Sequence, residues 1–475
     1  MTAPQRAFRD DRPEGAASGF ARRARAAAAR LAEVPAFEVA GRIAAIRGGA
    51  VAIGGIARFA AIGRRLTLHP GGTAPPLLAE VVGFAGDGET LQALAFGPLD
   101  GIGPGTVARL VPAGSEGLAV SDAWLGRVLD PLGRPLDGRP PPLPGPVRRP
   151  PRAGVPPPPG RRARLGPRLD LGVRALDCFA TCRRGQRLGL FAASGVGKST
   201  LLAMLARRTA CDVAVLALVG ERGRELREFL EDDLGPEGLA RSVVVCATSD
   251  APPLLRREAA YAAMAVAEHF AEAGRHVLLL MDSVTRFAMA LREIGLAAGE
   301  PPATRGYPPG VFAELPRLLE RAGPRAEGNP GAITGLFTVL VEGDDHDEPI
   351  ADAVRGILDG HVVLDRRIGE RGRWPAVDVL RSLSRTVPGC LTPEEHALAQ
   401  RARRILALHA DMADLIRLGA YRPGSDPAVD EAIRLAPRIE AFLDQRKDEA
   451  GPAGIAASFA ALAEALAGEA PADAA

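Results

Sequence analysis

The stretch Leu188–Leu205 constrains this chain more than any other. An apolar segment (Leu188, Gly189, Leu190, Phe191) runs into Ala192-Ala193-Ser194-Gly195-Val196-Gly197, then Lys198-Ser199-Thr200, then the helical pattern Leu201–Leu205. A strand that ends in a glycine loop and continues as a helix belongs in a sheet with helices packed on it. Glycines let backbone N–H groups turn toward an anion, and the helix N-terminus adds partial positive charge. The order strand, loop, helix is the context that a phosphate-cradling P-loop requires. Of 59 basic residues only Lys198 and Lys447 are lysines. A compact ammonium with rotatable donors suits the β- and γ-phosphates of a nucleotide, which a planar guanidinium copies poorly. Ser199 is the candidate hydroxyl ligand for Mg²⁺.

Two further strand ends carry carboxylates. His276–Met281 is an apolar run ending at Asp282-Ser283, and an Asp there is placed to hold Mg²⁺ through water. Val213–Val219 is a second apolar run, ending in Gly220-Glu221-Arg222-Gly223-Arg224-Glu225. A carboxylate at a strand end near the γ-phosphate can orient attacking water, which makes Glu221 the general-base candidate. Arg222 is the candidate to stabilise the departing phosphate, and Glu225 to hold a water in the metal's outer shell.

At 475 residues the chain is long enough for several domains. Residues 1–35 read as a polar, disordered start followed by an Ala- and Arg-rich helix over Phe20–Glu33, either solvated or a partner's docking helix. Residues 36–115 hold short apolar segments punctuated by Gly, Pro and Asp, the texture of a small β-barrel. Residues 116–170 are turn- and proline-rich: Leu125–Gly138 reads as two turn units and Arg139–Gly160 as an extended crossing. Residues 171–388 alternate apolar runs with amphipathic stretches, which predicts a mainly parallel α/β sheet. Residues 389–475 become helical, over Pro393–Leu418 and Pro427–Leu443. Net charge is +2 and the five cysteines have no framework spacing, which predicts a reduced, cytoplasmic protein without a strong field for nucleic acid. The acidic cluster Glu342–Glu348 reads as a loop rather than a metal site.

Glu221-Arg222-Gly223-Arg224-Glu225, Asp282-Ser283-Val284-Thr285-Arg286-Phe287 and Thr304-Arg305-Gly306-Tyr307-Pro308-Pro309 together resemble the rotary-type hexameric ATPases. Val341–Asp345 and Ala353–Arg366 are most similar to the flagellar branch of the type III export ATPases, with the virulence secretion ATPases close by. The resemblance implies a multi-domain fold: an N-terminal β-barrel, a central RecA-like P-loop domain with a mainly parallel sheet, and C-terminal helices. It implies an ATP-hydrolysing homohexamer that energises flagellar protein export, peripheral to the inner membrane at the flagellar base. Arg385, in Ser382-Leu383-Ser384-Arg385, matches the arginine finger that acts on a neighbouring subunit's ATP. Trp374 matches the adenine-stacking position, usually Tyr, and Arg286 would complete the phosphate site. Ala193 stands where the family usually has Gly, which requires a negative φ there. Implied partners are a FliH-like regulator, a FliJ-like stalk, export cargo with its chaperones, and the membrane export gate. The alternatives are a virulence export ATPase and a catalytic subunit of a proton-translocating synthase. A nucleic-acid motor is disfavoured, because the barrel segment has few, scattered aromatics (Phe59, Phe84, Phe96).

Overall fold

The computed structural model describes residues 24, 38–86, 88–112, 114–193, 195–341, 348–449 and 454–467. The expected helix Phe20–Glu33 lies outside them, Ala24 excepted, as do Ser194 and the acidic cluster apart from Glu348.

Six strands close into a barrel: β1 (Ala40–Arg47), β2 (Ala50–Gly54), β3 (Arg65–His69), β4 (Leu77–Phe84), β5 (Thr90–Ala95) and β6 (Val107–Leu110), in the order β1-β2-β5-β4-β3-β6. Alternation builds it. In β2 Val51 and Ile53 are buried while Ala50, Ala52 and Gly54 are half-exposed, the period-2 signature of a strand with one face inward. Val51, Ile53, Leu66, Leu68, Val81 and Leu91 fill the interior.

The central sheet contains β7 (Arg127–Leu129), β10 (Arg187–Ala192), β11 (Val213–Glu221), β12 (Ser242–Thr248), β13 (His276–Asp282), β15 (Ala332–Leu340), β16 (Gly360–Leu364) and β17 (Val377–Ser384). Their order is β17-β16-β10-β15-β13-β11-β12-β7, with the short β14 (Gly323–Pro324) paired to β15. The long strands are parallel, and β17 runs antiparallel on one edge. The two-residue strands β8 (Arg168–Leu169) and β9 (Cys182–Arg183) pair with each other. Every residue of β13 is buried, because helices cover both faces of a parallel sheet. The barrel, the mainly parallel sheet and the C-terminal helices Pro393–Arg417, Pro427–Leu443 and Ile455–Ala467 are the architecture expected from the sequence.

The structure differs from the sequence reading in two places. Arg127–Leu129 is not a turn; it is β7, which extends the sheet parallel to β12. Three residues bracketed by glycine and aspartate give no periodicity to detect. The helix Ile455–Ala467 was also not anticipated. It buries Ile455, Phe459, Leu462 and Leu466, and its alanine-rich sequence offers few contrasts between faces.

Buried arginines join the parts. Arg257, 3% exposed, donates to Glu80 of the barrel (2.6 Å) and to Glu258 (2.7 Å). Arg321 grips Glu268 with two nitrogens (2.8 and 2.7 Å) and donates to the Pro151 carbonyl of the proline-rich crossing (2.7 Å).

Candidate active site

The strand register sets the site. β10 lies between β15 and β16, and beyond β15 lie β13 and then β11. Because these strands are parallel, their C-terminal ends present the P-loop after Ala192, Asp282 and Glu221 along one edge of the sheet. In open α/β sheets this edge is where ligands bind. A cavity of about 780 Å³ opens there. It is lined by Ala193, Gly195, Gly197, Lys198, Ser199 and Thr200 of the loop, and by Glu221, Arg222, Glu225 and Arg286.

Locally, Gly195 and Gly197 both have φ of 78°, a region that glycine enters without steric cost. The turn at Gly197 starts the helix Lys198–Arg208 with its free N–H groups toward the cavity. Gly197 is doubly constrained: a Cβ there would lie 2.5 Å from the Trp374 ring. Among the described residues Arg305 alone combines positive φ with a side chain, so Ala193 keeps the negative φ expected of it. Ala192 ends β10, and Val196 is buried beneath the loop.

Lys198 Nζ lies 3.2 Å from Glu221 Oε1 and pairs more closely with Asp282 Oδ1. The Asp282 side chain is only 4% exposed. Burial opposes the Lys198 charge, but the two carboxylates outweigh it and hold the ammonium above its ordinary pKa. For Glu221, burial is the largest influence and Asp282 adds to it; Lys198 opposes both, and the carboxyl ends above its ordinary value. A carboxylate that binds protons more avidly is a better base toward water.

The remaining expected residues divide into two groups. Arg222 and Glu225 line the cavity and pair with each other at 3.0 Å, with Arg222 reaching into solvent. Arg286 lines the cavity and packs against Gly220 beside Glu221. Trp374, 41% exposed, rests on Gly197 at the margin of the loop. Arg385 stands apart. Its backbone N–H bonds the Asp359 carbonyl, and Asp359 in turn holds Arg187 at the start of β10. The P-loop begins after the other end of that strand, five residues and roughly 16 Å away.

A model of the ATP synthase alpha/beta family nucleotide-binding domain matches residues 172–384, and a model of the T3SS EscN ATPase C-terminal domain matches 391–464. A flagellum-specific ATP synthase of Caulobacter vibrioides is 55% identical over 429 residues, 89% of this chain and 95% of that one. A type 3 secretion system ATPase of Xanthomonas euvesicatoria is 51% identical, covering 78% and 82%. The chain belongs to the ATP synthase alpha/beta family, in its type III export branch. Solved structures of the assembled ATPase EscN from enteropathogenic E. coli, alone and with its central stalk EscO, superpose with TM-scores of 0.80 and 0.79. Both are 39% identical and cover 90% of this chain and 100% of theirs.

As a type III export ATPase, the chain is a P-loop enzyme that hydrolyses ATP. Its cavity also contains Thr285, Met289, Leu340, Val341 and Arg366, which sequence reasoning did not single out. Arg366 follows β16, the strand beside β10, at the same edge as the P-loop, a neighbourhood set by strand pairing and not by any local pattern. Thr338 had a usable signal, as a polar residue inside the otherwise apolar β15, and its hydroxyl donates to Asp282 Oδ1 at 2.7 Å. No helix among the described residues is long and apolar enough to cross a membrane.

Proposed function

We propose that this chain is the flagellar export ATPase of its organism, a homohexamer that hydrolyses Mg²⁺-bound ATP to drive protein export. Its flagellum-specific relatives support the flagellar assignment over the virulence one. The residues fit the metal: Ser199, a hydroxyl residue, lines the cavity, and Asp282 has one oxygen held by Thr338 and Lys198, so the other would be left to accept from metal-bound water. Magnesium would supply charge neutralisation between the β- and γ-phosphates. Lys198 leaves its two carboxylates for those phosphates. Glu221, released, accepts a proton from the attacking water and aligns it on the γ-phosphorus. Arg222 and Arg286, which line the same cavity, neutralise charge on the transferred group, and Trp374 stacks on adenine.

The observation that carries the oligomer is the position of Arg385. It lies at the wrong end of the sheet for its own P-loop and follows the edge strand β17, where Leu383 is 51% exposed. A finger there serves a neighbour. One chain holding both Glu221 and Arg385 can build equivalent sites from copies of itself, unlike a synthase that divides them between subunits. The assembled EscN relative supports this reading, and its EscO-bound form supports a stalk partner. A regulator at the N-terminal segment, chaperoned cargo and the membrane gate complete the proposed assembly, on the cytoplasmic face of the inner membrane.

Mixing two inactive variants tests it. Glu221→Gln binds ATP without hydrolysing it, and Arg385→Ala assembles without turnover. In mixed oligomers about a quarter of interfaces pair an intact Glu221 with an intact Arg385 across subunits, so activity returns. No recovery on mixing overturns the assignment in trans. Co-purification with rod and hook components rather than virulence effectors checks the flagellar role.

A further inference from the structure

We infer that Thr338 is a positioning residue for magnesium: it keeps the Asp282 carboxylate oriented while Lys198 transfers from that carboxylate to the nucleotide. The inference rests on the ATPase reading above and adds a residue to it.

Thr338 lies on β15, the strand between the P-loop strand β10 and the Asp282 strand β13. Pairing of Leu190 with Thr338 on one side, and of Met281 with Phe337 on the other, sets the hydroxyl level with Asp282. The residue is fully buried. Its Oγ1 lies 2.7 Å from Asp282 Oδ1 and 3.3 Å from the Met281 carbonyl. A hydroxyl has one proton, and the short bond to an ionised acceptor is the stronger use of it.

Asp282 Oδ1 therefore has two donors, Thr338 and Lys198. Only Lys198 is on the loop that meets the phosphates. When it turns to them, a nearly buried carboxylate loses the ammonium that paired with it. Left without any donor, that group carries its full desolvation penalty and is free to rotate. Thr338 stays in place because β15 is hydrogen-bonded on both sides. It pins Oδ1 and leaves Oδ2 as the acceptor for metal-bound water. Partners of this kind set metal affinity although they never touch the metal.

Thr338→Val removes the hydroxyl and conserves the shape; Thr338→Ser returns it. The full-length protein is titrated with ADP in the presence and absence of Mg²⁺, and its hydrolysis is followed against Mg²⁺ concentration. The inference expects Thr338→Val to bind metal-free ADP like wild type, to require about 10- to 100-fold more Mg²⁺ for half-maximal effect, and to be restored by Thr338→Ser. Thr338→Ala, which lacks the hydroxyl and the bulk, serves where the valine variant does not fold, and the same shift is expected of it. An unchanged Mg²⁺ requirement in the hydroxyl-free variant overturns the inference. So does an equal loss of metal-free ADP binding, which marks a structural role. If wild type itself hydrolyses ATP without regard to Mg²⁺, the magnesium-dependent ATPase reading fails instead.

Discussion

Replacing Lys198 with methionine tests the charge balance of the nucleotide-free site. The apolar stem keeps its length and the ammonium is lost. Asp282, 4% exposed, and Glu221, 18% exposed, then lose the ammonium that paired with both, and Glu221 keeps a cation nearby, Arg286. Removing one partner of a buried pair costs about 3–5 kcal/mol. The lower figure applies, because Glu221 keeps some contact with water and Asp282 keeps Thr338. A loss of ~3 kcal/mol lowers Tm by roughly 6–12 °C in a unit of about 200 residues. Thermal unfolding without nucleotide measures it. Adding Glu221→Gln removes one of the two stranded charges, and the double variant recovers at least ~1 kcal/mol of the loss. The pH dependence has a definite sign. Glu221's folded pKa already lies above its ordinary value, and loss of Lys198 raises it further. Its contribution to stability is therefore present at low pH and lost as pH rises through the folded value. The deficit of Lys198→Met is then largest at neutral pH and shrinks toward acid. A variant that melts with wild type at pH 7, or a double variant that recovers nothing, would refute the argument.

Gly195→Ala and Gly197→Ala share a φ of 78° but differ in surroundings: nothing lies near a Cβ at 195, whereas at 197 it meets Trp374 at 2.5 Å. The first is expected to lose only the backbone strain of ~1–2 kcal/mol, and the second to lose more and to displace Trp374, read as a change in its fluorescence. His276 is buried against the Thr334 hydroxyl (2.8 Å) and the Ala210 carbonyl (3.2 Å), and burial lowers its pKa from 6.5 to about 4. Its stabilisation is whole above pH 6.5 and is lost progressively down to pH 4, up to about 3 kcal/mol in all; His276→Gln removes that share of the acid slope in unfolding titrations. Arg257→Met strands Glu80 and Glu258, leaving them only Arg152 and Arg65 at 3.1 Å. A loss of ~3 kcal/mol is expected, with the barrel separating as its own transition in calorimetry.

The catalytic edge was legible because its elements write strong local patterns. Buried parallel strands appear as unbroken apolar runs, and each run ends beside a residue of the candidate site: Ala192, Glu221 or Asp282. The sheet order was not legible, since nothing local says that β15 separates β10 from β13. Thr338 was therefore invisible as a partner of Asp282, although its polarity inside β15 was plain. β7 escaped for the related reason that three residues of edge strand carry no period; its place is given only by pairing with β12. Arg385 shows the opposite limit. The role proposed for it comes from the resemblance, and the antiparallel direction of β17 sets it at the end of the sheet opposite its own P-loop.

Several of the arginines make contacts that a lysine would copy poorly. Arg127 meets Asp137 with two nitrogens at 2.7 and 3.0 Å, Arg187 meets Asp359 at 3.1 Å twice, and Arg321 meets Glu268 at 2.8 and 2.7 Å. Each is a planar fork matched to a single carboxylate, a permanent contact that suits a guanidinium. Lys198 has a different task. It pairs with carboxylates on two strands, Glu221 on β11 and Asp282 on β13, and in the proposed mechanism leaves both for phosphates. A point charge with rotatable donors makes that transfer without breaking a paired fork. The second lysine, Lys447, forms a partly exposed pair with Asp233 at 3.1 Å, and nothing in the structure requires a lysine there. An arginine at 198 would settle on Asp282 in the same forked geometry as its counterparts elsewhere, and the affinity gained in that resting pair would be subtracted from the affinity for ATP.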